Sequence, residues 1–307
     1  MTTAFIAHKD CRLHDMGAHH PECPARLDAI HDQVIAAGVD GYLAHFEAPL
    51  VTMEQLRRVH PLDYIAYVHA CSPTHGIVHL DPDTAMSPGT WHAALRAAGA
   101  GCEAVDRIMR GEVNNAFCAV RPPGHHASVA QAMGFCFFNN VAVAMRHALA
   151  MWPVSRVAVV DFDVHHGNGT EAIFAGDDKV LMCGTFQHPF YPYSGTDNPA
   201  SNMCNVPLPA CTGGEAFRQA VTDHWLPRLY DFQPEMVFIS AGFDAHREDD
   251  MASFGLVEAD YAWVTKQIKV LADATAQGRI VSMLEGGYAL SALGRSVVAH
   301  LRVLADM

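Results

Sequence analysis

The stretch RVAVVDFDVHHGNGT, residues 156–170, decides how the rest of the chain is interpreted. It begins with small and β-branched apolar residues, which are typical of a buried parallel strand. It ends in polar groups that bind metals or move protons, namely Asp161, Asp163, His165 and His166. In extended backbone, side chains two residues apart point the same way, which places Asp161, Asp163 and His165 on one side. We therefore expect a divalent-metal site just past a buried strand, with a polar strand-capping loop as the alternative.

The composition limits the class of protein. Half of the 307 residues are hydrophobic and 17% are charged, which is enough apolar material for a sizeable core. The formal charge of −13 lacks the basic surplus that a nucleic-acid binder needs, and it suits a cationic substrate. Nine cysteines without a CxxC spacing indicate reduced thiols. With neither a signal-peptide pattern nor an apolar run of spanning length, we expect a cytoplasmic protein that contacts no membrane and no nucleic acid; its oligomeric state stays open.

Strand and helix patterns alternate along the chain. Strands are predicted at 3–8, 117–120, from 156, and at 179–184, 236–240 and 279–284. Helices are predicted at 30–37, 59–70, 87–109, 141–151, 215–230, 258–276 and 289–304, and long loops at 71–87 and 185–212. Ser87 is the predicted N-cap of its helix, with Pro88 at the first helical position. This alternation predicts an α/β fold in one domain, residues 1–307, with a central, mainly parallel sheet covered by helices on both faces.

Four predicted strands are each followed by a polar motif that contains glycine or precedes one. The motifs are RPPGHH at 121–126, DFDVHH at 161–166, AGFDAH at 241–246 and EGGY at 285–288. In open α/β sheets, binding sites form outside the carboxyl ends of the strands. Four such motifs favour a common site far more than any one of them does alone.

Three residues are candidate metal ligands: Asp163, His165 and Asp244. Two carboxylates and one imidazole leave a coordination position for water, as in catalytic zinc sites. Because no cysteine is required, other divalent ions are also compatible. The alternative for Asp244 is an ordinary turn residue after Gly242.

Two histidines and a tyrosine are candidate proton-transfer groups. Hydrolysis of an amide needs one group that takes a proton from water and one that gives a proton to the leaving amine, and His125 and His126 are the candidates. Asp161 is the carboxylate expected to orient this pair. Tyr288, after two glycines, is the candidate donor to the oxygen that develops negative charge. The alternatives are a structural histidine pair and a common Gly-Gly-Tyr turn.

Together the motifs resemble the zinc-dependent histone deacetylase family, in its class II-like and bacterial branch. The matching stretches keep the family's order from about residue 19 to residue 290: HHPECPARL, SPGTWHAALRAAG, RPPGHHA, GFCFFNNVAVA, VVDFDVHHGNGT, SAGFDAHREDD and LEGGYAL. The resemblance implies the arginase/deacetylase fold and one Zn²⁺ per chain. It also implies an amidohydrolase that removes acetyl or other acyl groups from lysine side chains with a metal-activated water. The substrate would be an acyl-lysine protein or peptide, or an acetylated small amine.

The resemblance implies a role for each matching residue of the centre. The zinc ligands match Asp163, His165 and Asp244. The histidine that acts as base and then as acid matches His126, and its more cationic partner matches His125, backed by Asp161. The tyrosine that polarises the amide carbonyl matches Tyr288. His166 is left as a supporting residue.

Further matches concern the substrate channel. The aromatic pair that walls the acyl-lysine tunnel matches Phe135 and Tyr191, and Gly134 belongs to the same wall. An arginine that lines an inner cavity, where acetate leaves, matches Arg26. The rim group that holds the substrate backbone matches Asp83.

Several positions depart from the family pattern. Gly184 stands where a serine helps to bind a structural potassium ion, which argues against a full K⁺ site. Phe186 and Tyr193 stand where a polar residue and a glycine are usual. Met251 stands where a polyamine-selective member carries a glutamate, and the loop at 71–87 is short. Both features weaken the main alternative function, an acetylpolyamine deacetylase.

Two more distant alternatives stay open. An arginase-like ureohydrolase shares the sheet architecture but needs two metals and more bridging carboxylates. Asn168 and Tyr288 favour a single metal instead. A non-catalytic acyl-lysine binder has no need of a general base, and every catalytic position is present in this sequence.

Overall fold

The computed structural model describes residues 2–307 and contains one eight-stranded parallel sheet with a separate two-stranded hairpin. The strands are β1 (Thr3–Ala7), β2 (Leu43–Glu47), β3 (Val78–Asp81), β4 (Thr84–Met86), β5 (Asn115–Cys118), β6 (Val157–Asp161), β7 (Val180–Gln187), β8 (Met203–Leu208), β9 (Met236–Ala241) and β10 (Ile280–Leu284). Strands β3 and β4 pair with each other, antiparallel. The large sheet has the order β2-β1-β5-β10-β9-β6-β7-β8, and each neighbouring pair is parallel. The predicted α/β class with a parallel sheet is confirmed.

The helices cover this sheet on both faces. They are α1 (Ala25–Ala36), α2 (Met53–Leu56), α3 (Leu62–Ala70), α4 (Thr90–Met109), α5 (Asn140–Met151), α6 (Asn168–Phe174), α7 (Gly214–Ala220), α8 (Leu226–Phe232), α9 (Glu258–Thr275) and α10 (Leu290–Leu304). Strand β10 shows the two faces directly, because its successive side chains point opposite ways. Ser282 contacts His300 of α10, while Met283 packs beside Gly101 of α4.

Double coverage explains the composition of the central strands. Every residue of β6, β9 and β10 is buried. Strands buried on both faces are continuously apolar rather than alternating, as the VAVV run predicted. Each fully buried valine or leucine stabilises the fold by about 1.5–3 kcal/mol relative to an exposed one.

Two predicted loops contain regular structure. The segment 71–87 includes the β3–β4 hairpin, and the segment 185–212 includes the end of β7 and all of β8. Strand β8 lies at the edge of the sheet and contains Pro207, and proline is tolerated only where a strand has no further neighbour on one side. The prediction of a long irregular loop at 185–212 was therefore wrong at 185–187 and 203–208, and the predicted loop at 71–87 was wrong where β3 and β4 lie.

Other boundaries also differ from the prediction. Helix α1 starts at Ala25 rather than at residue 30, and β2 and α6 had not been predicted. Ser87 does not cap α4. The helix begins at Thr90, whose hydroxyl accepts the backbone N–H of Ser87 at 2.9 Å, so Pro88 lies in the preceding turn.

The sheet order brings the four polar motifs together. They follow β5, β10, β9 and β6, which are four consecutive strands of the sheet. The chain also reverses its direction across the sheet between β6 and β9, since β7 and β8 are added on one side and β10 on the other. Crevices at the carboxyl ends of strands form at such reversals. No helix among residues 2–307 combines the length and apolar character needed to cross a bilayer.

Candidate active site

Three ligand atoms meet at the carboxyl ends of β6 and β9. Asp163, His165 and Asp244 are all buried, and each offers one atom within 4.8 Å of the others. Nδ1 of His165 lies 3.0 Å from Oδ1 of Asp163 and 3.1 Å from Oδ2 of Asp244. The structure thus brings the three predicted ligands into one cluster.

Backbone amides hold the two carboxylates in place. Asp163 accepts the N–H of His165 at 2.9 Å on Oδ1 and the N–H of Gly286 at 2.8 Å on Oδ2. Asp244 accepts the N–H of Val164 at 2.9 Å on Oδ1. Gly286 packs so closely that an added Cβ would overlap both carboxylates. The ligand cluster therefore depends on a glycine in the motif after β10.

The electrostatics of the cluster fit a divalent cation. Burial and the charge of Asp163 raise the pKa of Asp244 to about 7. Burial alone would lower the pKa of His165, but its contacts with Asp163 and Asp244 raise it to about 10. The negative charges of the buried Asp163 and Asp244 therefore favour a positive charge between them. Two carboxylate oxygens and one imidazole nitrogen are donors that Zn²⁺ and several other divalent ions accept.

The two histidines after β5 differ in protonation. Nδ1 of His125 lies 2.9 Å from Oδ2 of Asp161. Burial opposes a charge on His125, but the charges of Asp163 and Asp161 raise its pKa well above 6.5. Burial and the neighbouring charges of His125 and His165 lower the pKa of His126 well below that value. The pair therefore consists of one cationic and one neutral imidazole, with ring centroids 4.0 Å apart.

Tyr288 follows the Gly-Gly turn after β10. Its hydroxyl makes no hydrogen bond to any of residues 2–307. Burial raises its pKa well above 10, although the Arg26 guanidinium 4.9 Å from the ring acts in the opposite direction. The phenol is therefore a neutral donor. Asp249 fixes its backbone by accepting the N–H groups of Tyr288 at 2.6 Å and Ala289 at 3.0 Å.

A cavity of about 280 Å³ leads to this cluster. Its lining residues are Asp83, His126, Gly134, Phe135, His165, Phe190, Tyr191, Met251 and Tyr288. The ring of Phe135 meets that of Tyr288 edge to face at 6.0 Å, and Tyr191 meets His126 in the same way at 5.3 Å. Asp83 accepts the N–H of Gly134 at 2.9 Å. The predicted tunnel residues thus surround one narrow, mostly apolar channel with imidazole and phenol groups in its wall.

Comparison with known proteins agrees with this geometry. The sequence model of the histone deacetylase domain family matches residues 20–304. The chain belongs to the histone deacetylase family. It is 38% identical, over 93% of its length and 81% of the relative's, to a histone deacetylase-like amidohydrolase of Pseudomonas aeruginosa. It is 36% identical to the mouse polyamine deacetylase HDAC10, with 99% of the chain matched to 48% of that protein.

A solved structure agrees as well. The crystal structure of the HDA15 HD domain superposes on 99% of this chain with a TM-score of 0.93 and 34% identity, using 88% of that domain. This shows that the fold is that of the histone deacetylase family. The chain spans about half the length of the mouse relative, so nothing is carried over from the rest of that protein.

Arg26 lies behind the candidate active site and contacts the turn that precedes Tyr288. It donates to the carbonyl oxygens of Glu285 and Gly287, both at 2.6 Å, and to Glu22 at 3.0 Å. It does not line the cavity described above. Glu22 is itself buried and paired with Arg121. The prediction that Arg26 lines an inner cavity stays a prediction; in the structure its contacts hold the turn before Tyr288.

The departures from the family pattern lie around the site. Tyr193 is 75% exposed, has a φ of 59° and does not line the cavity. Gly184 pairs with Asp161 in the β6–β7 register, and an added Cβ there would meet only Asp161. The ring of Phe186 packs against His166 at 4.7 Å. His166 binds Glu171 and Ser194 and does not join the ligand cluster, as expected of a supporting residue.

Sequence reasoning missed three residues that complete the site. Phe190 stacks on His165 at 5.7 Å with an interplanar angle of 22°. Asp249 anchors Tyr288, as described above. Glu285 accepts the N–H groups of Gly124 at 2.6 Å and His125 at 3.1 Å. An acidic residue directly after the apolar run of β10 was a usable signal for Glu285, whereas Phe190 and Asp249 carried none.

Proposed function

We propose that this protein hydrolyses the side-chain amide of acyl-lysine with the help of one divalent metal ion, Zn²⁺ being the leading candidate. Asp163, His165 and Asp244 would hold the ion. One observation carries the proposal: the ligand cluster, a neutral His126 and the unpaired hydroxyl of Tyr288 lie at the same narrow cavity. Such an ion supplies Lewis acidity, which lowers the pKa of water and polarises a carbonyl.

His126 is the proposed proton carrier. Its Nδ1 contacts the side-chain oxygen of Asn168 at 2.7 Å, so this nitrogen carries the ring proton and Nε2 keeps a lone pair. Nε2 therefore accepts a proton from the attacking water and later delivers it to the leaving lysine amine. His125, held cationic by Asp161, stabilises the negative charge that develops nearby.

Tyr288 is the proposed donor to the carbonyl oxygen. Its hydroxyl is neutral at ordinary pH and has no competing partner among the described residues. Because Asp249 fixes its backbone in advance, little reorganisation is needed when the oxygen becomes negative. This preorganised donor distinguishes a hydrolase from a protein that only binds acyl-lysine.

The cavity supports a substrate with a long apolar stem. The rings of Phe135 and Tyr191 and the side chain of Met251 line a channel of about 280 Å³, which suits the four methylenes of lysine. Asp83 at the same cavity offers a carboxylate for the N–H groups of a peptide backbone. An acyl-lysine in a peptide or protein therefore fits better than a free acyl amide.

An acetylated polyamine is the second candidate substrate. The mouse relative is named a polyamine deacetylase, and the acidic charge of −13 favours cationic substrates. Met251 opposes this assignment, because an apolar side chain at the cavity gives a second ammonium group no partner. Comparing kcat/KM for acetylspermidine and for an acetyl-lysine peptide separates the two.

The test is hydrolysis of an acetyl-lysine reporter peptide by the zinc-loaded protein. We expect turnover that His126→Ala reduces by about 100-fold or more, while the exposed His92→Ala leaves it unchanged. Tyr288→Phe should lose most activity and retain the metal. Two metals per chain would favour a ureohydrolase, and full activity of His126→Ala would refute the assigned base.

A further inference from the structure

A second cavity, of about 250 Å³, opens at the carboxyl ends of β2, β1 and β5. Its walls include Phe5 from β1, Phe46 from β2, Ala119 just after β5, and Leu27 from α1. None of its lining residues belongs to the candidate active site. It is therefore a separate feature of the same edge of the sheet.

The second cavity lies near a point where the strand order of the sheet changes direction. From β1 the chain adds β2 on one side, and β5 with all later strands of the large sheet on the other. The β1–β5 boundary is thus the second place where the chain reverses direction, and the β6–β9 boundary holds the candidate metal ligands. Ligands of open α/β sheets bind in the crevice at such reversals. The cavity lies beside this reversal, since its lining combines residues of β1 and β2 with Ala119, which follows β5.

The lining of the second cavity includes unpaired hydrogen-bond donors. His8 is 8% exposed, and its Nδ1 accepts the backbone N–H of Asp10 at 3.1 Å. The ring proton therefore lies on Nε2, which has no hydrogen-bond partner among residues 2–307. The Asp10 carboxylate also lies 3.2 Å from Nδ1. A nearly buried imidazole N–H at a cavity wall is an unsatisfied donor that a bound acceptor would satisfy.

Two cations stand beside His8. Lys9 is exposed and forms no ion pair with the described part of the chain. Arg12 uses Nε to bind Asp28 at 2.7 Å, and its two terminal nitrogens have no partner within residues 2–307. Glu47 is the only acidic residue in the lining, in a chain whose net charge is −13. Asp10 and Asp28 pair with His8 and Arg12 but do not line the cavity, so the lining itself carries more cationic than acidic groups and suits an anion.

The second cavity also has apolar lining residues. Phe5, Leu27 and Ala119 belong to its lining and are at most 5% exposed. The ring of His45 packs 5.5 Å from the ring of Phe5 and extends this surface. A ligand that fills the cavity must therefore present a compact apolar body next to its charge.

We propose that this cavity binds a small organic carboxylate. The carboxylate lies against His8 Nε2, Lys9 and the terminal nitrogens of Arg12, and the apolar body packs on Phe5, Leu27 and Ala119. A volume of about 250 Å³ limits the ligand to a single ring or a short branched chain. The proposal does not depend on the proposed hydrolase activity, because it uses no residue of that site.

Benzoate is the probe that tests this site. Isothermal titration is carried out on the metal-free protein, so that a carboxylate cannot bind to a metal instead. We expect saturable binding of benzoate and about tenfold weaker binding of benzamide, which has the same shape without the charge. Lys9→Glu should weaken benzoate binding by about tenfold or more.

Lys179→Glu is the matched control. It removes another exposed lysine that has no ion pair among the described residues, and it changes the net charge equally, but it lies directly before β7, outside the lining of the second cavity. We expect benzoate affinity within about twofold of the parent protein. Equal weakening by both lysine variants, equal affinity for benzamide, or no saturable benzoate binding would each overturn the proposal.

Discussion

Nδ1 of His126 lies 2.7 Å from the side-chain amide oxygen of Asn168, not from a carboxylate. An amide accepts the ring proton without stabilising a positive charge as strongly as an aspartate would. Burial and the charges of His125 and His165 lower the pKa of His126, and the contact with Asn168 acts in the opposite direction without overcoming them. His125, one residue earlier, has Asp161 as its partner and a raised pKa.

Asn168→Asp should therefore raise the pKa of His126. A general base must be neutral, so activity is lost as pH falls through this pKa, and raising the pKa moves that loss to higher pH. We expect the acidic limb of the kcat/KM profile to shift upward by about one pH unit. Asn168→Ser, which keeps a neutral partner, should leave the limb in place; an unshifted limb in Asn168→Asp would contradict the role given to His126.

Glu285→Ala should impair catalysis without removing the metal. The carboxylate accepts the N–H groups of Gly124 and His125, and truncation leaves both buried amides unpaired. We expect a loss of about 2–4 kcal/mol in unfolding free energy and a fall in kcat that exceeds any change in KM. Glu285→Gln retains an acceptor oxygen and should recover most of both quantities. Urea unfolding, steady-state kinetics and metal analysis together check this outcome.

Gly286→Ala should abolish tight metal binding while the fold survives. An added Cβ would overlap the carboxylates of Asp163 and Asp244 and force them apart. We expect metal affinity to fall by about 100-fold, measured by competition with a chelating dye. Gly213→Ala is the control, because a Cβ at Gly213 has no atom within 4 Å. Undiminished affinity in Gly286→Ala would show that the cluster does not ligate the ion.

His60 should make stability depend on pH. Its Nδ1 donates to the carbonyl of Val129 at 3.0 Å, and its Nε2 accepts the N–H of Asn139, also at 3.0 Å. This geometry needs a neutral ring, and burial lowers the pKa from 6.5 to about 4. Between pH 4 and pH 6.5, His60 is therefore protonated in the unfolded chain and neutral in the folded protein. The contribution of neutral His60 to the unfolding free energy is fully present above pH 6.5 and is lost as pH decreases toward 4.

The size of this effect follows from the pKa difference. It amounts to about 3 kcal/mol of unfolding free energy by pH 4, superimposed on the titration of other groups. His60→Gln should remove this part of the pH dependence, whereas His75→Gln, at an exposed position, should not. Urea unfolding at several pH values between 7 and 4 measures the difference. Identical slopes for His60→Gln and the parent protein would refute this assignment.

Local pattern accounts for much of the fold. Strands β6, β9 and β10 are buried on both faces, so nearly all of their residues are apolar. Such a continuous apolar run is enough to predict a strand from the sequence. Strand β2 escaped prediction because only Leu43 in it is buried, so no apolar run exists. Its pairing with β1 is what makes it a strand.

For the site, the sequence by itself determined the chemistry of the groups. Residue type and spacing indicated that Asp163, His165, His125, His126 and Tyr288 each follow a strand or a glycine turn, and resemblance indicated their family. Only the tertiary structure brought Asp244 to Asp163 and His165, because the neighbouring positions of β9 and β6 join residues about eighty positions apart.

The tertiary structure also determined which residues support the site. Asp249 and Glu285 act by accepting backbone N–H groups of Tyr288 and His125, and any residue has such an N–H. A contact to backbone leaves no trace in the identity of its partner, so the sequence cannot reveal which N–H groups Glu285 and Asp249 bind; for Glu285 it indicated only that an acidic residue follows β10. Such a contact is fixed only when the sheet order places the carboxyl ends of β5, β10, β9 and β6 side by side.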